Sequence, residues 1–176
     1  MKHAYTISFN NILLRPLAFE DISDLRIWRN DPENSKYIRK IPFITEEMQE
    51  LWFKNYLQDS LEITLAIEYD KSFVGSVSLY DIQETSAVFG KLMVGRQKGK
   101  GIGRQATLAC LKLAFSQLGL TEIQAEVSVD NTAALIIYID AGFRIVQRRY
   151  NEAIGLDEYV IRIDKKRFEA LHHKKD

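Results

Sequence analysis

The sequence predicts one α/β domain built on a mixed sheet whose middle strands are antiparallel, and three observations carry that expectation. Apolar, β-branched runs at residues 63–69, 73–80 and 87–94 are joined by Asp70-Lys71 and by Gln83-Glu84-Thr85-Ser86, links short enough for hairpins. The last run ends in Leu92-Met93-Val94 and enters a loop with glycines at 95, 99, 101 and 103, and a long apolar helix pattern over 102–118 follows at once. Beyond it, strand and helix patterns alternate without internal repeat, low-complexity run or linker, so residues 1–176 are expected to form a single domain.

The elements follow in order. Residues 5–9 alternate and 12–17 are strand-like, with Asn10-Asn11 between them as a turn, so the chain opens on a hairpin. Residues 20–29 carry Ile22, Leu25 and Trp28 at helical spacing, and Asp31-Pro32 stops that helix. After an irregular piece containing Tyr37, Ile38 and Arg39, Thr45 caps a second helix whose expected apolar stripe is Met48, Leu51, Trp52 and Tyr56. The long helix at 102–118 is apolar around most of its girth, leaving mainly Gln105, Lys112 and Ser116 for solvent, and Gly119 stops it. A strand over 122–129, a helix over 131–141 ended by Gly142, and a closing strand pair at 143–149 and 158–163 complete the pattern. Residues 168–176 show no pattern and are expected to fray.

Composition narrows the function classes. Lys plus Arg equals Asp plus Glu, 24 each, so no global field draws the chain to nucleic acid or to a membrane. Cys110 is the only cysteine and lies in the apolar helix pattern, which leaves no intramolecular disulfide or thiolate metal cluster and makes core packing its expected role. No metal is expected. The N-terminus has no signal-peptide hydrophobic region and no apolar run approaches the roughly 18 residues of a spanning helix, so a cytoplasmic location is the expectation.

Local charge is another matter. Between Lys91 and Arg104 stand five basic residues and no acidic one. Glycines 99, 101 and 103 let backbone N–H groups turn toward one point, and the helix start behind them adds about half a positive charge. Lys98, Lys100 and Arg104 reinforce that sign, which points to a phosphorylated ligand. Gly99-Lys100 is followed by Gly101 where a nucleoside-triphosphate loop needs Ser or Thr, and G-x-G-x-G after antiparallel strands does not match a dinucleotide fingerprint.

The loop does resemble motif A of the GCN5-related N-acetyltransferases: Gln or Arg, two residues, Gly, one residue, then Gly or Ala. Gly101 and Gly103 fill the small positions with Lys98 where Gln or Arg is usual, and a frame of Arg96, Gly99 and Gly101 also fits. Asn131-Thr-Ala-Ala-Leu-Ile-Ile-Tyr138-Ile-Asp-Ala-Gly142-Phe143 is similar to the family's motif B. Asn131 and Tyr138 are seven residues apart, pointing within about 20° of each other on a helix, with Ala134 between them on the same side. Leu14-Arg15-Pro16-Leu17 looks like the ribosomal-protein (RimJ/RimL-type) branch.

The resemblance implies a sheet splayed between the fourth and fifth main strands, here those ending at Val94 and Val129, with helices on both faces. It implies acetyl-CoA as cofactor. Its pyrophosphate would lie on Lys98, Gly99, Lys100, Gly101, Ile102, Gly103 and Arg104. The pantetheine would run along Leu92, Met93 and Val94, with Asn131, Ala134 and Tyr138 alongside, and amides near Met93 and Val94 would serve the oxyanion. Tyr138 is the candidate general acid, since a phenol of pKa about 10 is protonated at neutral pH; its alternative role is packing. The carboxylate that the RimJ/RimL branch carries in an Ala-Glu-Ile-Gly segment is replaced here by Ala87-Val88-Phe89-Gly90. Glu126 in Ala125-Glu126-Val127 matches the base of protein N-terminal acetyltransferases, and its alternative is an exposed strand carboxylate. Asp81 and Glu84 are reserves, and a bound water is a further one.

For the acceptor, Trp28-Arg29-Asn30-Asp31-Pro32 and the segment from Glu46 to Phe53 resemble the amino-sugar N-acetyltransferases that modify nucleotide-linked amino sugars. Trp28, Arg29 and Tyr80 are then expected in the acceptor pocket, with Arg29 or Arg39 holding a phosphate, against the alternative that Trp28 and Trp52 lie in the core. The implied reaction is acetylation of a primary amine on a small molecule, an amino sugar ahead of a protein N-terminus. The balanced net charge gives a polyamine little support. A non-catalytic acyl-CoA-binding module and a different phosphoryl-ligand binder stay open. The family resemblance also implies that the chain can pair as a homodimer.

Overall fold

Alternating apolar residues make the strands, and short polar caps set where the helices begin. The computed structural model describes residues 2–37 and 42–172. Strand β1 (Ile7–Phe9) turns through Asn10, at φ 50°, into β2 (Ile12–Pro16). A 3₁₀ turn, Phe19–Asp21, leads into α1 (Ile22–Asn30). Asp31 closes α1 and caps the short α2 (Pro32–Ser35) by accepting from the Glu33 N–H, with Pro32 at the first helical position, where its missing donor costs nothing. Helix α3 (Glu46–Gln58) starts on Thr45, whose hydroxyl accepts from the Met48 N–H at 3.3 Å. Then come β3 (Ile63–Tyr69), β4 (Ser72–Tyr80), β5 (Ser86–Val94), α4 (Ile102–Ser116), β6 (Glu122–Ser128), α5 (Thr132–Ala141), β7 (Arg144–Asn151), β8 (Leu156–Asp164) and α6 (Lys165–His172).

Among the described residues the strands form one sheet in the order β1-β2-β3-β4-β5-β6-β8-β7. All neighbours are antiparallel except β5 and β6, which run parallel. That pair is held only over residues 86–89 and 122–125, beyond which β5 and β6 diverge. The expected splay lies there. Helices α4 and α5 cover one face, where Ala106, Ala109 and Leu113 share a core with Leu65, Ile67 and Val77. Helices α1 and α3 cover the other, with Leu25, Trp28, Phe53 and Tyr56 packed around Ala66. Cys110 is fully buried in the first of these cores, and burial pushes its thiol well above the ordinary range, the inert state of a packing residue. Among the described residues no helix is long and apolar enough to cross a membrane.

Arg15 and its neighbours have a structural task. The guanidinium donates to both carboxylate oxygens of Asp21, at 2.7 and 2.9 Å, and to Glu68 at 3.1 Å, while Asp21 also accepts from the Ala18 N–H. This fork ties the end of β2 to the start of α1. Asn30 clasps Ile44 with both halves of its amide, donating to the carbonyl and accepting from the N–H at 2.9 Å each, and so docks the approach to α3 onto α1.

Two expectations fail. The buried side of α3 is Gln49, Phe53 and Tyr56, whereas Met48 and Leu51 are 46% and 58% exposed. The helix has apolar residues on two arcs, and contact with α1 and β3 selects the one bearing Tyr56, whose hydroxyl donates to the Thr64 carbonyl and accepts from the Thr64 N–H. The chain end does not fray from residue 168. Helix α6 continues to His172 because Phe168 is buried against Phe115 at a ring separation of 5.3 Å. Residues 173–176 of the expected tail lie outside the described residues.

Candidate active site at the parting of two strands

The parting of β5 from β6 leaves the β6-facing amides of residues 90–94 without a strand partner among the described residues. On its other edge β5 carries a bulge: Ser76 opposes Met93 and Ser78 opposes Gly90, so Lys91 and Leu92 together oppose Val77. Lys91 adopts φ 51°, a left-handed conformation that is costly for a lysine. It is held there by Glu62, which its ammonium meets at 2.6 Å, and it lies 4.8 Å from the Tyr80 ring centre. Gly75 permits the close approach of β4 to this segment, since a Cβ there would stand 2.1 Å from the Met93 carbonyl oxygen. A glycine inside a strand pattern is a signal of such an approach, and one that the strand reading of 73–80 passed over.

The loop after β5 ends in a cradle. Gly99 and Gly101 adopt φ 84° and 71°, and a Cβ at either would meet nothing within 4 Å, so these glycines serve backbone conformation and leave open space at the N-terminus of α4. Gly103 differs. It sits in the first turn of α4 where a Cβ would lie 3.4 Å from Ile137, bringing α4 close to α5. The five basic residues do not act as one positive patch. Lys91 pairs with Glu62, Arg96 with Asp24 at 2.9 Å and Arg104 with Asp140 at 3.8 Å. Lys98 and Lys100 donate to the neutral carbonyl oxygens of Asn34 and Gln97, so they bring uncancelled charge to the cradle.

Helix α5 approaches the gap from the α4 side. Asn131 is spent on its own helix, its side-chain oxygen accepting from the Ala134 N–H at 3.2 Å. Ala134 is partly buried against the main core. Tyr138 is 6% exposed, edge-on to Phe89 at 5.5 Å and close to Phe143 at 5.9 Å. Burial, and next to it the neighbouring Tyr80, push its phenol far up, so it keeps its proton throughout the neutral range. Ile136 and Ile139 are 56% and 43% exposed on the outer side of α5.

Glu126 faces the other way. Ile123, Ala125 and Val127 of β6 are buried toward α4 and α5, and alternation turns Glu126 to the face that carries α1 and α3. There it accepts from Arg149, which also donates to the buried Glu158 at 2.7 Å. Tyr80 is the focus of this side. Burial first, then the carboxylates of Glu126, Asp81, Glu62 and Glu158, push its phenol up to about 12. Glu84 is exposed in the β4–β5 turn.

A cavity of about 270 Å³ opens on the same face between α1, α3 and the strands. Leu25, Arg29 and Trp52 form its helical wall, and Thr64, Ser76 and Ser78 its floor, with Lys91 and Met93 toward the gap. Trp52 stacks on Tyr56 at 5.6 Å and is half-buried. Trp28 is not an acceptor surface. It is 7% exposed, stacked on Phe73 at 5.1 Å, and lies so close to Gly95 that a Cβ there would be 1.9 Å from the indole. Packing of α1 on Phe73 of β4 and on the loop at Gly95 buries the ring. Tyr80 stands one residue pair along β4 from Ser78, with its hydroxyl 3.3 Å from the position a Cβ on Gly90 would take. Arg39 lies outside the described residues.

An unpaired strand edge leading to an open, left-handed cradle with two lysines suits a diphosphate joined to a long amide-bearing arm, which is the form of coenzyme A. The comparisons agree. Residues 11–144 match the family model for an acetyltransferase (GNAT) domain. The chain is 28% identical to the spermidine N(1)-acetyltransferase of Vibrio cholerae serotype O1 over 138 residues, 76% of this chain and 79% of the relative. The crystal structure of a Vibrio cholerae spermidine N-acetyltransferase in complex with CoA and spermine superimposes with a TM-score of 0.84 at 23% identity, covering 90% of this chain and 98% of that one. Mycobacterium smegmatis RimJ in complex with CoA-disulfide does so at 0.76 and 19% identity, covering 88% and 82%. Spermidine acetyltransferases and a RimJ thus share the fold, which does not single out the RimJ/RimL branch. With the strand gap, the glycine cradle and the matched residues 11–144 together, the chain belongs to the GNAT family of acetyltransferases and uses acetyl-CoA as its donor.

Proposed function

We propose that the chain acetylates the primary amine of a small molecule at the β5–β6 gap. The observation that carries this reading is the meeting there of unpaired β5 amides and a buried, proton-retaining Tyr138. Acetyl-CoA bound at this site supplies the activated acetyl thioester. Lys98, Gly99, Lys100, Gly101, Ile102, Gly103 and Arg104 would hold its diphosphate, with Leu92, Met93 and Val94 along the arm and Asn131 and Ala134 framing it from α5. Donors on residues 92–94 would polarise a carbonyl oxygen in the gap, fixed in place by the bulge before they are needed. Tyr138 holds its proton at the hydroxyl, ready for a departing thiolate.

The acceptor amine must shed a proton first, since amines of pKa near 10 are charged at neutral pH. Glu126, on the acceptor side of the sheet, is the base in this reading, with Arg149 orienting its carboxylate. Kinship with spermidine acetyltransferases supports a small-molecule acceptor over a protein N-terminus. The overall charge balance no longer weighs against a cationic acceptor, because the carboxylates gathered around Tyr80 attract an ammonium locally. Arg29 and Tyr80 would contact the acceptor, and Trp52 takes the aromatic role expected of Trp28.

Thiol release from acetyl-CoA, followed with spermidine, an amino sugar, an amino acid and an N-terminal peptide, tests the reading. Turnover is expected on at least one small amine; turnover on the peptide alone would overturn the acceptor class. Glu126→Gln should remove the acidic limb of the kcat/KM profile, because a base works only above its pKa. An unchanged limb would take the role from Glu126.

A further inference from the structure

Arg29 stands out among the charged groups of the acceptor cavity. It is half-buried in the wall, yet its guanidinium has no hydrogen bond or ion pair among the described residues. It lies over the Trp52 ring, 5.9 Å from the ring centre. The neighbouring guanidiniums are satisfied, Arg15 by Asp21 and Glu68, Arg96 by Asp24. Desolvation pulls Arg29 below its ordinary pKa, with Glu62 the one charge opposing that pull. Glu62, however, is already engaged by Lys91 and by the Thr64 hydroxyl at 3.0 Å. The residues lining the cavity include no carboxylate, and the Ser76 hydroxyl on the floor makes no hydrogen bond among the described residues.

The field across the site is therefore polar. Four carboxylates gather around Tyr80; Lys91 and Arg149 form ion pairs with three of them, and Lys2 lies within electrostatic reach of Glu62. At the cavity wall one guanidinium has no ion-pair partner among the described residues. An unpaired half-buried cation is unfavourable, and a guanidinium presents a planar fork that matches a carboxylate or phosphate. A second ammonium placed beside it would meet like charge.

We propose that the acceptor amine carries an anionic group, a carboxylate or a phosphate, which seats on Arg29 while the amine end faces the carboxylates around Tyr80. This rests on the acetyltransferase reading of the same site and narrows its substrate class. The cavity volume of about 270 Å³ is on the order of nine water volumes, room for an amino acid or the charged end of a sugar phosphate.

The test uses matched pairs with the full chain and acetyl-CoA: an amino acid against its amide, and an amino-sugar phosphate against the free amino sugar, with spermidine alongside. The anionic member of at least one pair is expected to have a kcat/KM about tenfold to a hundredfold above its neutral partner, mostly through KM, and the better pair tells carboxylate from phosphate. Arg29→Gln should collapse that ratio toward one and Arg29→Lys should restore part of it. Calorimetric binding of the same pairs to the wild type and to Arg29→Gln is read separately from turnover. Anion-selective binding lost in Arg29→Gln, without thiol release on any amine, would overturn the catalytic reading and leave this one standing. Neutral partners or spermidine preferred in both readouts, or a ratio that Arg29→Gln does not change, would overturn the proposal.

Discussion

Tyr138→Phe is expected to lower kcat for acetyl transfer by roughly two to four orders of magnitude, the usual contribution of a positioned general acid. The ring is held by its edge-on contact with Phe89 and by Phe143, and its hydroxyl makes no hydrogen bond among the described residues, so removing that oxygen leaves the packing as it was. Stability and acetyl-CoA affinity should therefore stay close to wild type while turnover collapses. Steady-state thiol release paired with a calorimetric titration of acetyl-CoA separates the two. Burial disfavours the phenolate and raises the pKa, so the acid stays protonated well past neutrality and any alkaline limb below about pH 10 belongs to another group. Tyr138→Phe should keep that limb. A kcat within twofold of wild type would return Tyr138 to a packing role.

The second large effect falls on a residue that touches no ligand in any reading. Gly75→Ala places a methyl carbon 2.1 Å from the Met93 carbonyl oxygen and 3.1 Å from the Val94 Cα, both backbone atoms that cannot swing aside. Strand β5 must move away from β4 where its amides are left free by the departure of β6. A loss of about 1–3 kcal/mol of stability is expected from overpacking, with a fall in kcat because the displaced segment carries the donors. Gly90→Ala is the comparison: its Cβ would meet the Tyr80 ring at 3.1 Å, a side chain able to turn. Urea unfolding and kinetics on both variants should rank Gly75→Ala as the more damaging. Equal midpoints would mean that the close approach relaxes without consequence.

Much of the site was readable along the chain because its signals are local. A left-handed cradle needs glycines at Gly99 and Gly101, a helix needs a cap such as Thr45 or Asn131, and a stop needs a residue like Gly142 at φ 109°. These depend on neighbours a few residues away. The phase of α3 was not readable, since two apolar arcs compete and only contact with α1 and β3 chooses between them. Nor was the charge of the loop. Arg96 meets a carboxylate 72 positions away and Lys91 one 29 positions away, so a count of nearby basic residues overstates the positive field.

By itself the sequence determined an α/β domain with a glycine cradle at a helix start, and through two motifs the family and its donor, because caps, turns and alternation are short-range physics. The tertiary structure alone decided that Trp28 belongs to the core, that Lys91 sits strained in a bulge beside the β5–β6 gap, that Tyr138 and Glu126 lie on opposite faces of the sheet, and that Arg29 has no ion-pair partner among the described residues. The reason is physical: burial, pairing and electrostatic balance depend on groups brought together from distant parts of the chain, and no spacing rule along it records which charge is left over.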